Sequence, residues 1–110
     1  MTSIAKIDLR HEASTAIGDW KNWVLAGVND HVVRISVMTR DFHWHRHTNS
    51  DEVLMPLEGT LLVDFEDQTL RVAVGECVCV PRDVLHRTRP GGDKVVTLSF
   101  EHKDTAVTGG

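Results

Sequence analysis

The stretch HWHRHTNSDEVLMPLEG holds the side chains best suited to chemistry in this chain. His43, His45 and His47 alternate with larger residues, so an extended backbone would send all three imidazoles to one face. Glu52 lies five residues beyond His47. Imidazole nitrogens and carboxylate oxygens are common ligands of first-row divalent metals. The spacing therefore indicates a metal site, which His86 could complete from a second turn-rich stretch.

The alternative is a group of surface or core histidines that holds no metal. His43 is the least certain member, and a solvent-facing or supporting role is favoured over substrate contact or ligation. Trp44 and Arg46 would point to the opposite face and pack outside. Asp51 is expected to be a loop residue.

The elements that must position these side chains are short strands separated by turns. The expected strands span residues 32–38, 42–47, 52–57, 60–65, 69–74, 77–80, 85–89 and 94–100. Gly, Pro and Asp mark the breaks because these residues tolerate or preset turn geometry. Strand after strand at regular spacing predicts an all-β sandwich or barrel. The length of 110 residues fits one domain.

The first 31 residues differ from the rest, and an N-terminal arm with a short helix is expected to pack on a barrel formed by residues 32–100. The arm would span 4–9 and the helix 11–17, and residues 101–110 would form a C-terminal tail. Trp20 and Trp23 are expected to cover one end of the barrel, with a subunit interface and ligand stacking as alternatives.

Composition and charge exclude some function classes. The net charge of −4 argues against an electrostatic nucleic-acid binder, which needs a clustered basic face. The start, MTSIAKIDLR, has no apolar run typical of a signal peptide or membrane span, so no membrane association and a cytoplasmic location are expected. Cys77 and Cys79 share a face of one expected strand. Burial of both thiols is favoured over a metal or redox role.

Two groups of residues resemble the paired motifs of the cupin superfamily, in particular small single-domain cupins described as mannose-6-phosphate-isomerase-like. The first motif has His-x-His, then Glu and Gly at fixed spacing, and the second has Gly, Pro and His. The matching residues are His45, His47, Glu52, Gly59, Gly75, Pro81 and His86. The resemblance spans roughly residues 32–100.

This resemblance implies a jelly-roll barrel, also called a double-stranded β-helix, with a metal inside. His45, His47, Glu52 and His86 correspond to the family's metal ligands. One divalent ion per chain is therefore expected, and Fe, Mn, Ni or Zn suits such mixed ligation. Four ligands leave two positions of an octahedral shell open for oxygen or a substrate.

Three positions depart from the family pattern. Thr39 stands where the first motif has glycine, which suggests a differently shaped entry turn. Asp83 replaces the glycine of Pro-x-Gly, and aspartate tolerates a positive φ better than most residues. Pro90 replaces the final asparagine. None of the three is a ligand position, so the implied metal site is unaffected.

The leading hypothesis for function is a metalloenzyme that acts on a small organic molecule by dioxygenase- or isomerase-type chemistry. No catalytic residue outside the ligand set is identified. The alternative is a non-catalytic cupin that binds or senses a small molecule, and a weaker option is a metal that only stabilises the barrel. Arg34 could point inward to meet an anion, although an exposed arginine is favoured. A homodimer is expected, because identical chains can cover each other's strand edges.

Overall fold

The computed structural model describes residues 4–109, and within that range it contains one helix, α1 (Leu9–Ser14), and ten strands. The strands in chain order are β1 (Trp20–Val28), β2 (His31–Met38), β3 (His45–His47), β4 (Glu52–Glu58), β5 (Leu61–Asp64), β6 (Thr69–Val72), β7 (Val78–Val80), β8 (Arg87–Pro90), β9 (Val95–His102) and β10 (Val107–Gly109). Residues 1–3, which precede the expected arm, and the last residue of the expected tail lie outside the described range.

The strands form two antiparallel layers. One is a five-stranded sheet in the order β1-β2-β9-β4-β7. The other combines the order β6-β5-β8 with the pair β10-β3, and an antiparallel bridge between His45 and His86 joins these two parts. The predicted all-β architecture with a short N-terminal helix is confirmed.

A hydrophobic core lies between the two layers. Both layers contribute buried side chains to it: Met38, Leu54, Leu61, Val63, Val72, Val80 and Val95. Each aliphatic side chain of this size contributes about 1.5–3 kcal/mol on full burial. This core fixes the distance between the sheets, and with it the distance between side chains that approach from opposite layers.

A second apolar cluster covers the outer face of the five-stranded sheet. Its buried centre consists of Ile35, Val37, Val96 and Leu98. Leu9 and Ala13 of α1 pack against it. Apart from Met38 and Val95, which belong to the inner core, the buried apolar residues of β2 and β9 pack on the outer face. The polar residues between them face the other layer.

Two turns require particular backbone conformations. Gly59 has φ +76°, and a Cβ there would collide with the carbonyl oxygen of Lys94. Asp83 adopts φ +67°, so the aspartate does make the turn for which the family pattern uses glycine. Both turns lie next to strands that carry the candidate ligands.

The eight strands expected from the sequence are present, with ends that shift by up to three residues. The helix begins at Leu9 rather than at residue 11, because the Asp8 side chain accepts a hydrogen bond from the His11 amide and caps the first turn. Strands β1 and β10 were not expected. In β1, Trp23 packs into the outer cluster, whereas Trp20 is half exposed.

Candidate metal centre

Strand β3 carries two of the candidate ligands on one face. His45 and His47 are both buried, and Arg46 between them points the other way. The backbones of His45 and His86 exchange two hydrogen bonds of 2.9 Å each. This pairing brings the fully buried His86 beside β3 from a distant part of the chain.

Glu52 approaches from the opposite layer, at the start of β4. Its Oε1 lies 3.3 Å from Nε2 of His47 and 3.6 Å from Nε2 of His86. Ligand atoms of the three histidines all lie within 4.8 Å of one another. The four residues singled out in the sequence therefore converge at one point between the two sheets.

The orientation of the three imidazole rings is fixed by backbone carbonyls. Nδ1 of His45 lies 2.9 Å from the carbonyl oxygen of His43, and Nδ1 of His86 lies 2.9 Å from that of Val84. Nδ1 of His47 lies 3.3 Å from the carbonyl oxygen of Ala106. A ring that donates from Nδ1 keeps a lone pair on Nε2, which is the form that binds a metal.

Charge and burial shift the pKa values of His45, His47 and Glu52 in different directions. Burial lowers the pKa of His45 to about 4, so its imidazole is neutral at ordinary pH. The neighbouring carboxylate of Glu52 raises the pKa of His47. Burial acts to raise the pKa of Glu52, but contacts with His47 and His86 outweigh it and bring the pKa down to about 2. The site therefore presents an ionised carboxylate among imidazoles.

The loop before β8 is attached to the first motif. The Asp83 amide donates to the His47 carbonyl at 2.7 Å, and the Arg82 amide donates to Asp51 Oδ1 at 2.9 Å. Asp51 is thus a loop residue, as expected, and its carboxylate holds the segment that leads to His86.

Three of the candidate ligands, His45, His47 and Glu52, face a cavity of about 300 Å³ between the layers. Met38, Leu54 and Leu61 form part of an apolar wall. The opposite wall is polar, and its residues come from β1, β2 and β9: Asn22, Arg34, Ser36, Thr97, Ser99 and Glu101. A small molecule in this cavity would contact both the metal ligands and the polar wall.

Glu101 is a site residue that sequence reasoning missed. It is buried, and one of its oxygens lies within 4.8 Å of ligand atoms of both His47 and Glu52. Burial, reinforced by the charge of Glu52, raises the pKa of Glu101. Arg34 lines the cavity and places Nε 3.1 Å from Glu101 Oε1. The inward alternative for Arg34 is therefore the one that the structure supports.

The side chains of some other residues singled out in the sequence do not line this cavity. His43 is exposed and stacks on Phe42, with ring centroids 4.1 Å apart. Trp44 packs outside the barrel, where the Arg87 guanidinium lies 5.2 Å from its ring centroid. The expectation that both thiols are buried is wrong. Cys77 and Cys79 are exposed, because Val78 and Val80 take the inward positions of β7.

The donor set fits a divalent ion. Nε2 atoms of His47 and His86 are buried and have no well-aligned hydrogen-bond partner among residues 4–109, although both lie close to Glu52. Buried polar atoms are rarely left without a partner unless something else satisfies them. Three imidazole nitrogens and one carboxylate could hold a metal ion there.

Comparisons with known proteins agree with this architecture. The model of the Cupin_2 family (cupin domain) matches residues 31–100. The uncharacterized protein YdbB of Bacillus subtilis (strain 168) is 41% identical over 83 residues, which cover 74% of this chain and 73% of that protein.

Solved structures show the same fold. A cupin-2 domain containing protein from Shewanella frigidimarina matches with a TM-score of 0.82 and 28% identity, over 88% of this chain and 94% of its own. A double-stranded β-helix protein from Klebsiella pneumoniae matches with a TM-score of 0.80 at 12% identity, over 96% of each chain. The described residues contain no helix long and apolar enough to cross a membrane.

Proposed function

The chain belongs to the cupin family, and from that membership we propose that it is a metal-dependent enzyme acting on a small organic molecule. It holds one divalent ion through His45, His47, Glu52 and His86. The observation that carries the proposal is the arrangement of the rings. Each Nδ1 lies by a backbone carbonyl, and the Nε2 atoms of His47 and His86 lie close to one ionised carboxylate from the opposite sheet.

The chemistry follows from the donor set and the cavity. When bound, a divalent ion supplies a Lewis acid for a carbonyl or hydroxyl oxygen, or a redox centre for dioxygenase-type chemistry. Both sheets and the Asp83 turn hold the four proposed ligands in place. Fe, Mn, Ni and Zn are the proposed ions, and dioxygenase- and isomerase-type reactions are the proposed classes.

The cavity supports turnover over binding alone. One argument for a purely binding or sensory cupin is the lack of an acid or base outside the ligand set. Glu101 is a buried carboxylate in the cavity outside that set. It gives a substrate at the centre a neighbouring group able to accept a proton.

Elemental analysis of the purified protein, after growth in medium supplemented with metals, tests this proposal. We expect about one divalent ion per chain. His47→Ala and His86→Ala should each lose the ion, whereas His11→Ala should retain it because His11 is an exposed helix residue. A metal-free wild-type protein, or full occupancy in the His47 and His86 variants, would contradict the proposal.

Turnover is tested with the metal-loaded protein and a panel of small phenols, diketones and sugars. Oxygen uptake or a chemically changed product supports an enzyme. A compound that raises the melting temperature but is recovered unchanged, with no oxygen uptake, supports the binding alternative.

A further inference from the structure

The inner face of the five-stranded sheet is polar where it meets the cavity. Strand register places Arg34 opposite Ser99 and Ser36 opposite Thr97, and directly paired residues project to the same side of a sheet. All four line the cavity, together with Glu101. The inner face of a sheet normally contributes apolar side chains to the core. This polar wall therefore has a role other than core packing.

Two atoms of this wall lack well-aligned hydrogen-bond partners. Thr97 is 3% exposed and Glu101 is 7% exposed. Within the described part of the chain, neither Thr97 Oγ1 nor Glu101 Oε2 has a well-aligned hydrogen-bond partner, although the Thr105 side chain lies near the Glu101 carboxylate. Buried polar atoms that stay unsatisfied destabilise the folded chain. An ionised carboxylate oxygen accepts hydrogen bonds and donates none, so a bound organic molecule that satisfies Glu101 Oε2 must carry a donor.

The charges around the cavity indicate the net charge of a molecule that would bind there. Glu52 and Glu101 are the buried carboxylates, and the half-buried Arg34 guanidinium is bound to Glu101. A divalent ion added to these three side chains leaves one net positive charge. Lys21, exposed at the rim, adds to it. A monoanion is therefore the charge class that the cavity favours.

We infer that the cavity binds a small α-hydroxy acid, and that Glu101 and Thr97 recognise its hydroxyl group. The carboxylate of the acid is attracted by the positive charge of the metal centre. Its hydroxyl group donates a hydrogen bond to Glu101 Oε2, and the Thr97 hydroxyl makes a further polar contact with it. A volume of about 300 Å³ limits the acid to a small molecule. Met38, Leu54 and Leu61 provide the apolar wall for its carbon atoms. This assignment of substrate class rests on the proposed metal site.

Isothermal titration calorimetry on the zinc-loaded protein tests the inference, with probes that differ only in the hydroxyl. Zinc is used because it has no redox chemistry, so the acids stay intact. Lactate is compared with propionate, and mandelate with phenylacetate. The hydroxy acid of at least one pair should bind at least about tenfold more tightly, as expected for a hydrogen bond to a charged group.

Glu101→Gln replaces the accepting oxygen by an amide of the same size, and it should abolish most of this discrimination. Thr97→Val removes the hydroxyl at similar volume and should reduce the discrimination in the same direction. Glu58→Gln is the matched control, because Glu58 is paired with Lys94 outside the cavity. It should leave both affinities unchanged. Thr97→Val carries the test if Glu101→Gln does not fold.

Metal content of each protein separates the two proposals. A wild-type protein without metal contradicts the proposed function. Metal-loaded wild type that binds both members of each pair equally, or binds neither, contradicts only the inference. Loss of metal in Glu101→Gln would show that Glu101 is a ligand rather than a recognition residue and would also overturn it.

Discussion

At the scale of single residues, the backbone carbonyls of His43, Val84 and Ala106 orient the three imidazoles. Each lies by the Nδ1 of one ring and thereby selects the tautomer that leaves Nε2 free. Such outer contacts typically change metal affinity by about 10- to 100-fold when they are lost. These carbonyl groups belong to the backbone, so exchanging a side chain does not remove them. The orientation of the rings therefore tolerates substitutions at these three positions.

The raised pKa of His47 predicts that metal binding releases a proton. His47 shares its environment with the ionised Glu52, so in the metal-free protein it holds its proton to a higher pH than usual. The pKa of His45 is lowered to about 4, so this residue contributes no proton near neutrality. The affinity for zinc should therefore rise as the pH increases from about 6 to about 8.

Calorimetry in two buffers of different ionisation enthalpy measures this release directly. At about pH 6.5 the apparent enthalpy of zinc binding should differ between the buffers, and at about pH 8 the difference should shrink. Equal enthalpies in both buffers at the lower pH would count against a protonated His47 in the metal-free site.

The approach of the four candidate ligands to one another could be predicted from residue types and motif spacing. Glu101 could not. The sequence VTLSFE alternates apolar with polar residues, and the usual interpretation of such alternation turns the polar face to solvent. Here α1 covers the apolar face instead. The exposure of Cys77 and Cys79 was missed for a related reason: a strand pattern does not say which of its two faces is the inner one.

At the scale of elements, the sheet with the order β6-β5-β8 depends on a buried carboxylate. Asp64 Oδ2 accepts from Arg89 Nε at 2.7 Å and lies 2.9 Å from Arg87 Nη2. Its Oδ1 accepts from the Thr69 hydroxyl at 2.6 Å. These contacts, Arg89 first, hold the pKa of Asp64 well below its usual range. One side chain therefore ties β5 to both of its neighbours.

Asp64→Asn should destabilise the fold by about 2 kcal/mol near neutral pH, allowing for the partial exposure of both arginines. Because the pKa of Asp64 is depressed on folding, its contribution is complete above the ordinary carboxyl pKa of about 3.9 and is lost as the pH falls below it. Urea unfolding at pH 7 and at acid pH measures this difference.

The difference in the free energy of unfolding between wild type and Asp64→Asn should become smaller at acid pH. Asp93→Asn in an exposed turn is the control and should change stability little at either pH. If this difference in unfolding free energy stays constant as the pH falls, the ionised carboxylate is not the source of the stabilisation.

The positions of the strands between residues 31 and 102 were predictable because β-branched runs alternate with Gly, Pro and Asp. The strand β1 was not, since WKNWVLAGV mixes Lys, Asn and Gly into an edge position and its pairing with β2 shifts register between Val24 and Ala26. The strand β10 has three residues and owes its existence to pairing with β3 rather than to its own pattern.

At the scale of the whole molecule, the centre lies where the two sheets meet. His45, His47 and His86 belong to one layer and Glu52 to the other, so the site exists only when both layers have formed. Binding of an ion should therefore stabilise the folded chain as well as equip it for chemistry. The cytoplasmic location stays a prediction.

The homodimer also remains a proposal, and the edge strand β1 is its proposed interface. Nine residues of β1 form one edge of the large sheet, and Trp20, Val24 and Val28 expose about half of their surface. An open apolar edge favours pairing with an identical strand. Light scattering after size-exclusion chromatography should give twice the chain mass.

Val24→Lys should shift that mass towards the monomer. Val74→Lys is the matched control, because Val74 is exposed in a turn on another part of the molecule. A wild-type protein of monomer mass at micromolar concentration would refute the dimer.

Anomalous diffraction from crystals of the metal-loaded protein tests the central claim most directly. We expect one anomalous peak per chain, at about 2.0–2.2 Å from Nε2 of His45, His47 and His86 and from one oxygen of Glu52 if the ion is zinc. A fully loaded protein whose peak lies elsewhere, or whose peak has fewer than these four residues around it, would contradict the account.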